Sequence, residues 1–116
     1  MNSIQKTKCL KEKTTPLQTT FALYDFILKD FNILPYHENS NDCYVVLEMT
    51  NMTKNLHNNF FVKINFYDKN DNLYNSFSTK IIGTKFDCYD TIRIDCMDCG
   101  HLLDIAASAK IFLKKA

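Results

Sequence analysis

The chain has 116 residues, 46% hydrophobic and 23% charged, the size and balance of one globular domain that buries its own core, so bulk disorder and a second domain are not expected. Fourteen basic against 13 acidic side chains leave a net charge of +1, too even to point to nucleic acid or an anionic membrane as a partner. No run is long and apolar enough for a transmembrane helix or a signal-peptide core.

Nine Phe and six Tyr stand against only two Gly and two Pro. Aromatic and β-branched residues suit pleated strands, and in so glycine-poor a chain the turns must fall to Asn and Asp, which tolerate positive φ. Cys9, Cys43, Cys88, Cys96 and Cys99 are odd in number and irregular in spacing, unlike a disulfide framework, which predicts a reducing, cytoplasmic setting. An extracytoplasmic setting follows only if a leader has been removed, and Asn51-Met52-Thr53 would then be a glycosylation acceptor.

Residues 1–18 open with MNSIQKTKCLKEKTTP, rich in Lys and Thr and poor in apolar groups, and read as a flexible N-terminal arm; the domain proper is expected over 19–116. From Phe21, FALYDFILKDFNIL carries apolar side chains on both faces and predicts a first strand, broken or continuous. A polar connection over 35–42 leads to CYVVLEMTN, where Val45, Leu47 and Met49 alternate with Val46, Glu48 and Thr50 in the period of a half-buried strand. FFVKINFYD is the clearest strand, with Phe60, Val62, Ile64 and Phe66 on one face. Asp68 to Asn72 turns the chain into LYNSFSTKII, a hairpin with Leu73, Phe77 and Ile81 at even spacing. After a turn over Ile82 to Lys85, CYDTIRIDC places Ile92, Ile94 and Cys96 opposite Thr91, Arg93 and Asp95. The tail HLLDIAASAKIFLKKA fits period 2 through Ile105, Ala107, Ala109, Ile111 and Leu113, and helical period through Leu102, Ala106, Ala109 and Leu113; a final strand completing a sheet is the expectation. Short strands joined by turns, without a strand-helix-strand rhythm, predict an all-β fold, a two-sheet antiparallel sandwich of about seven strands.

The centre of the chain resembles an FxLYD domain, a small immunoglobulin-like β-sandwich found in many bacterial proteins. VVLEMTN stands where that family has a strand running into an Asn-containing turn. FFVKINFYD holds the place of a strand ending in a Tyr-Asp pair, and KNDNLYN that of the next hairpin. The resemblance runs from about Phe21 to the C terminus, and departs from the family where Asn72 stands in place of its usual glycine and where the later Pro-Gly turn is reduced to Ile82-Gly83. It implies an immunoglobulin-like topology, a bacterial or phage setting, and an interaction or structural role.

Among chemical candidates, Cys96-Met97-Asp98-Cys99-Gly100-His101 has the spacing to offer two thiolates and an imidazole to zinc, with a fourth ligand still needed. Cys88 lies eight residues before Cys96, roughly 26 Å along a continuous strand, and is a poor fourth ligand. The competing reading has Cys96 packed inward beside Ile94 while Asp98, Cys99 and Gly100 form a turn. No phosphate loop, nucleophile elbow or His-Glu metal motif occurs. Asp87, Asp90, Asp95 and Asp98 lack the spacing of a calcium loop. Phe61, Tyr67, Tyr74 and Tyr89 fall opposite the expected core, and exposed aromatics are enriched where proteins meet partners. The expectation is therefore a non-enzymatic module without cofactor that binds another protein, or a second copy of itself, through a sheet edge or an aromatic face. A zinc module on Cys96, Cys99 and His101 is the alternative.

Overall fold

A computed structural model describes residues 1–116 in full. The chain folds as α1 (Ser3–Glu12), β1 (Thr14–Pro16), α2 (Gln18–Ala22), β2 (Ile27–Pro35), β3 (Cys43–Thr50), β4 (Phe60–Tyr67), β5 (Leu73–Ile81), a 3₁₀ turn (Gly83–Lys85), β6 (Tyr89–Cys96), α3 (Leu102–Ile105) and β7 (Ser108–Lys115). The strands form two sheets, one ordered β1-β7-β4-β5 and the other β2-β3-β6. Every pair is antiparallel except β1 with β7, which run parallel. The expectation of a mostly β, two-sheet fold is met; that of a purely antiparallel one is corrected by this single pair.

The alternations read from the sequence determine the faces. Phe60, Val62, Ile64 and Phe66 of β4, Cys43, Val45, Leu47 and Met49 of β3, and Ala109, Ile111 and Leu113 of β7 all point into one core. Phe26 anchors the aromatic part of it, packing edge-on against Phe60 and Phe86 with ring centroids 5.1 and 5.2 Å away. Thr79 on β5 donates its hydroxyl to the Arg93 carbonyl of β6 at 2.6 Å, which ties the two sheets together along one side. Asp68 makes the β4–β5 turn by accepting the N–H groups of Asn70 and Asn72 at 2.9 and 3.0 Å, and Asp71 takes a φ of 64°. Asx side chains thus do at this turn what glycine does elsewhere.

Three expectations are corrected. Residues 1–18 are not a loose arm. Asn2 and Gln5 form a reciprocal capping box that starts α1, a device that satisfies two otherwise orphaned helix N–H groups. Ser3, Thr7 and Leu10 then fall on the buried side of the helix, and β1 extends the larger sheet. The polar composition concealed this because α1 docks with one large apolar residue, Leu10, and with hydrogen bonds such as that from Ser3 to Ser40. Secondly, the segment from Phe21 does not begin as a strand. Phe21 ends in the core on α2, and Asp25 at φ 64° turns the chain so that Phe26 enters the same core. Their separation of five positions is incompatible with one face of a strand. Thirdly, Leu73 is 59% exposed, because a register shift between Phe66 and Tyr67 turns it from the core face to the outer face beside Tyr67.

Candidate functional site

Alternation along β4, β5 and β7 leaves a second set of side chains on the outer face of the four-stranded sheet. The register places Lys80, Phe61 and Lys114 in one cross-strand row, then Ser78, Lys63 and Phe112, then Ser76, Asn65 and Lys110, then Leu73, Tyr67 and Ser108. Phe61, Tyr67 and Phe112 are half-buried, and Lys80, Lys110 and Lys114 are exposed. Lys110 Nζ sits 5.2 Å from the centre of the Tyr67 ring, and Ser76 donates to Asn65 Oδ1 at 2.5 Å. No carboxylate interrupts the surface: the four strands of this sheet contain five lysines and no Asp or Glu, whereas β2, β3 and β6 carry Asp30, Glu48, Asp90 and Asp95 against Lys29 and Arg93. The near-neutral total therefore conceals two sheets of opposite character. The chain's two ion pairs, Lys6 with Asp104 and Arg93 with Asp95, leave every lysine of the larger sheet unpaired. Diagonal cross-strand neighbours such as Lys63 and Lys114, about 7–8 Å apart, repel by about 0.5 kcal/mol in water, a repulsion that a bound anion would relieve.

The four aromatic candidates do not form one surface. Phe61 and Tyr67 share this face, and Phe112, not singled out in the sequence, joins them. Its signal lay in the tail, where Lys110, Phe112 and Lys114 alternate with Ala109, Ile111 and Leu113. Tyr74 is the extra residue at the β4–β5 register shift, and its hydroxyl donates to the Asp98 carboxylate, which pushes its pKa up to about 12. Tyr89 lies on the other sheet, where its hydroxyl donates to Glu48 Oε1 at 2.8 Å and its pKa is raised chiefly by that bond. On that outer face Arg93 stacks over Tyr44 at 3.9 Å and Tyr36 donates to Asp95 Oδ1 at 2.7 Å. Burial, then the Asp95 carboxylate, push Tyr36 up to about 12, and the same bond lowers Asp95 below the usual carboxylate range.

The sheet edges offer little to an incoming strand. Asp30 Oδ1 accepts the N–H of Phe31 at 2.8 Å and Asn32 Oδ1 that of Ile33 at 3.0 Å on β2. Asp90 Oδ1 takes the Thr91 N–H on β6 and Asn75 Oδ1 the Ser76 N–H on β5, both at 2.8 Å. Each of these strands is an edge strand, and a backbone donor already satisfied by its neighbour's side chain is a poor template for strand addition. Beyond Pro16, where β1 stops covering β7, Thr20 Oγ1 accepts the N–H of Leu113 at 3.0 Å.

Cys96, Cys99 and His101 are not gathered about one point. Cys96 is fully buried and directly opposite Cys43 across β3 and β6, and that thiol together with burial raises its pKa; Cys99 and His101 are exposed. The turn between them is held by Asp42, whose carboxylate accepts the N–H groups of Asp98 and Gly100 at 3.0 and 3.2 Å, with Cys99 and Gly100 in the left-handed region at φ 50° and 84°. Asn51 is 2% exposed, with its amide donating to the Tyr24 carbonyl at 2.9 Å, so the folded chain has no room for a sugar there. Cys88 and His57 line an open cleft of about 400 Å³ between residues 53–57 and 83–88, with no hydrogen bond joining them. No helix is long and apolar enough to cross a membrane. No family model, curated protein or solved structure matches the chain.

Proposed function

We propose that the chain is a non-enzymatic interaction module whose contact surface is the outer face of the four-stranded sheet. The observation that carries this reading is the combination of half-exposed rings and unpaired lysines on a face free of carboxylates. Aromatic groups are enriched at contact surfaces because they bring large apolar area at small entropic cost. The Asx side chains that occupy the edge donors favour the face over strand addition. The resemblance to FxLYD domains, with an immunoglobulin-like sandwich as its implied topology, supports an interaction role as well.

Site-specific photocrosslinking in native extract tests the reading. A benzoylphenylalanine in place of Phe112 is expected to give discrete adducts, and the same group in place of Thr91, on the opposite sheet, is not. Adducts at Thr91 alone, or equal adducts at both positions, would move the contact surface elsewhere. Zinc analysis of the reduced protein checks the alternative of a metal module on Cys96, Cys99 and His101, which requires stoichiometric metal and loss of stability with chelator.

A further inference from the structure

The pattern on the outer face of β4, β5 and β7 is specific enough to name the chemistry of its occupant. Phe61 has Lys80 and Lys114 on either side across the strands and Lys63 two positions along its own strand. Phe112 has Lys63 across from it and Lys110 and Lys114 two positions away in each direction. Each ring is thus surrounded by ammonium groups, in rows about 6.8 Å apart along the strands. We infer that this face binds single-stranded nucleic acid, with bases stacked on Phe61 and Phe112 and phosphates against Lys63, Lys80, Lys110 and Lys114. The inference rests on the reading of this face as the contact surface.

Charge complementarity carries the argument first: a row of phosphates meets lysines that have no partner in the chain and no carboxylate on the same strands to repel it, Asp68 and Asp104 standing beyond the Tyr67 end of the face. The rings carry it second. Base stacking on aromatic side chains, with cations following the backbone, is the physical basis of single-strand binding. Asn65, Ser76, Ser78 and Ser108 complete the face with neutral donors and acceptors suited to sugar and phosphate oxygens. An acidic peptide would use the lysines but leave the rings without a role. A duplex keeps its bases stacked inside, out of reach of a flat surface. An anionic bilayer calls for apolar groups that sink below the headgroups, whereas these rings are half-buried in a sheet.

Fluorescence anisotropy on the full chain tests the proposal, with a labelled mixed-sequence single strand of about 12 nucleotides, as DNA and as RNA. The comparison ligands are the same sequence as a duplex, an oligoglutamate of equal length and phosphatidylserine vesicles. The single strand is expected to bind tightest. Between about 0.05 and 0.2 M salt, its log-log slope should be on the order of −2 to −3 for three or four neutralised phosphates. Phe61→Leu and Phe112→Leu keep the apolar bulk but remove the ring, and each should weaken binding at least about fivefold with the melting temperature unchanged. Lys63→Gln should flatten the salt slope by about 0.7, and Thr91→Ala should change nothing. Absence of single-strand binding up to about 0.1 mM at low salt, the weak limit of ordinary non-specific affinity, overturns the proposal. So does equal binding of oligoglutamate, duplex or vesicles, or leucine variants that bind like the parent. If the oligonucleotide fails while Phe112 still crosslinks to protein in extract, the contact face stands and only the identity of its occupant falls; if both fail, both readings fall.

Discussion

Gly83 shows how one position is dictated by a neighbour distant in sequence. A Cβ built there would lie 2.1 Å from the Asn58 carbonyl oxygen, backbone that a side-chain rotation does not relieve. Gly83→Ala should therefore destabilise the fold by about 1–3 kcal/mol through overpacking, measured by urea unfolding; a change below the ~0.5 kcal/mol typical of surface sites would show that the loop moves freely. The pair Tyr36 and Asp95 predicts a pH dependence with two limits. The raised Tyr36 pKa means that the fold favours the protonated phenol, so this contribution is complete below the ordinary tyrosine value near 10 and is lost as pH rises towards about 12. Asp95 is lowered chiefly by the Tyr36 hydroxyl, so its contribution is complete above the ordinary carboxylate value and disappears as pH falls through the lowered one. In Tyr36→Phe the Asp95 carboxyl should titrate at higher pH by NMR, and one of the late-ionising tyrosines should disappear from the alkaline absorbance titration. An unmoved Asp95 would mean that the hydroxyl does not reach it in solution.

Among the elements, α1 is the clearest case of a segment whose composition and placement disagree. Leu10 is 4% exposed and belongs to the core, and Lys6 pairs with Asp104 at 2.7 Å near α3. Leu10→Ala should cost about 2–5 kcal/mol, the range for a buried leucine, in denaturant unfolding; a loosely attached helix would give almost none. The edge strands lead to a prediction of a different kind. Replacing Asp30 and Asn32 together by Val removes the acceptors for the Phe31 and Ile33 N–H groups and raises β propensity on an edge. The double variant should associate with increasing concentration in light scattering while the parent does not. If it stays monomeric, β2 is shielded by something other than its Asx side chains, and α1, which packs beside it, is the next candidate.

For the whole molecule, the separation of charge between the sheets has a thermodynamic signature independent of any ligand. Raising salt from about 0.01 to 0.15 M shortens the Debye length from about 30 to 8 Å, which screens the repulsion among Lys63, Lys80, Lys110 and Lys114. The melting temperature should rise over that range, and Lys114→Gln should rise less. A melting temperature that falls with salt would show that attraction between the two sheets' opposite charges outweighs repulsion within one. Neither result follows from a net charge of +1, because a sum over the chain carries no information on how the charges are distributed between the sheets.

Local alternation determined much of this protein directly. The core faces of β3, β4 and β6 were legible because the side-chain period of a strand is two whatever it pairs with, and Asp68 and Asp71 announced their turn through chemistry confined to neighbouring residues; the tail fitted a helical period as well, and it divides into α3 and β7. Contacts distant in sequence decided the rest. Leu10 alone does not identify a docked helix, because its value depends on a core assembled by other strands, and the parallel pairing of β1 with β7 joins the two ends of the chain. The same holds for the candidate site. Phe61 and Tyr67 could be assigned to an outer face from β4 alone, but Phe112 and the four lysines became one surface only when β7 and β5 took up their register on either side of β4. A sequence specifies which way each side chain points within its own strand; which strands become neighbours, and hence which charges and rings meet, is determined by the folded sheet.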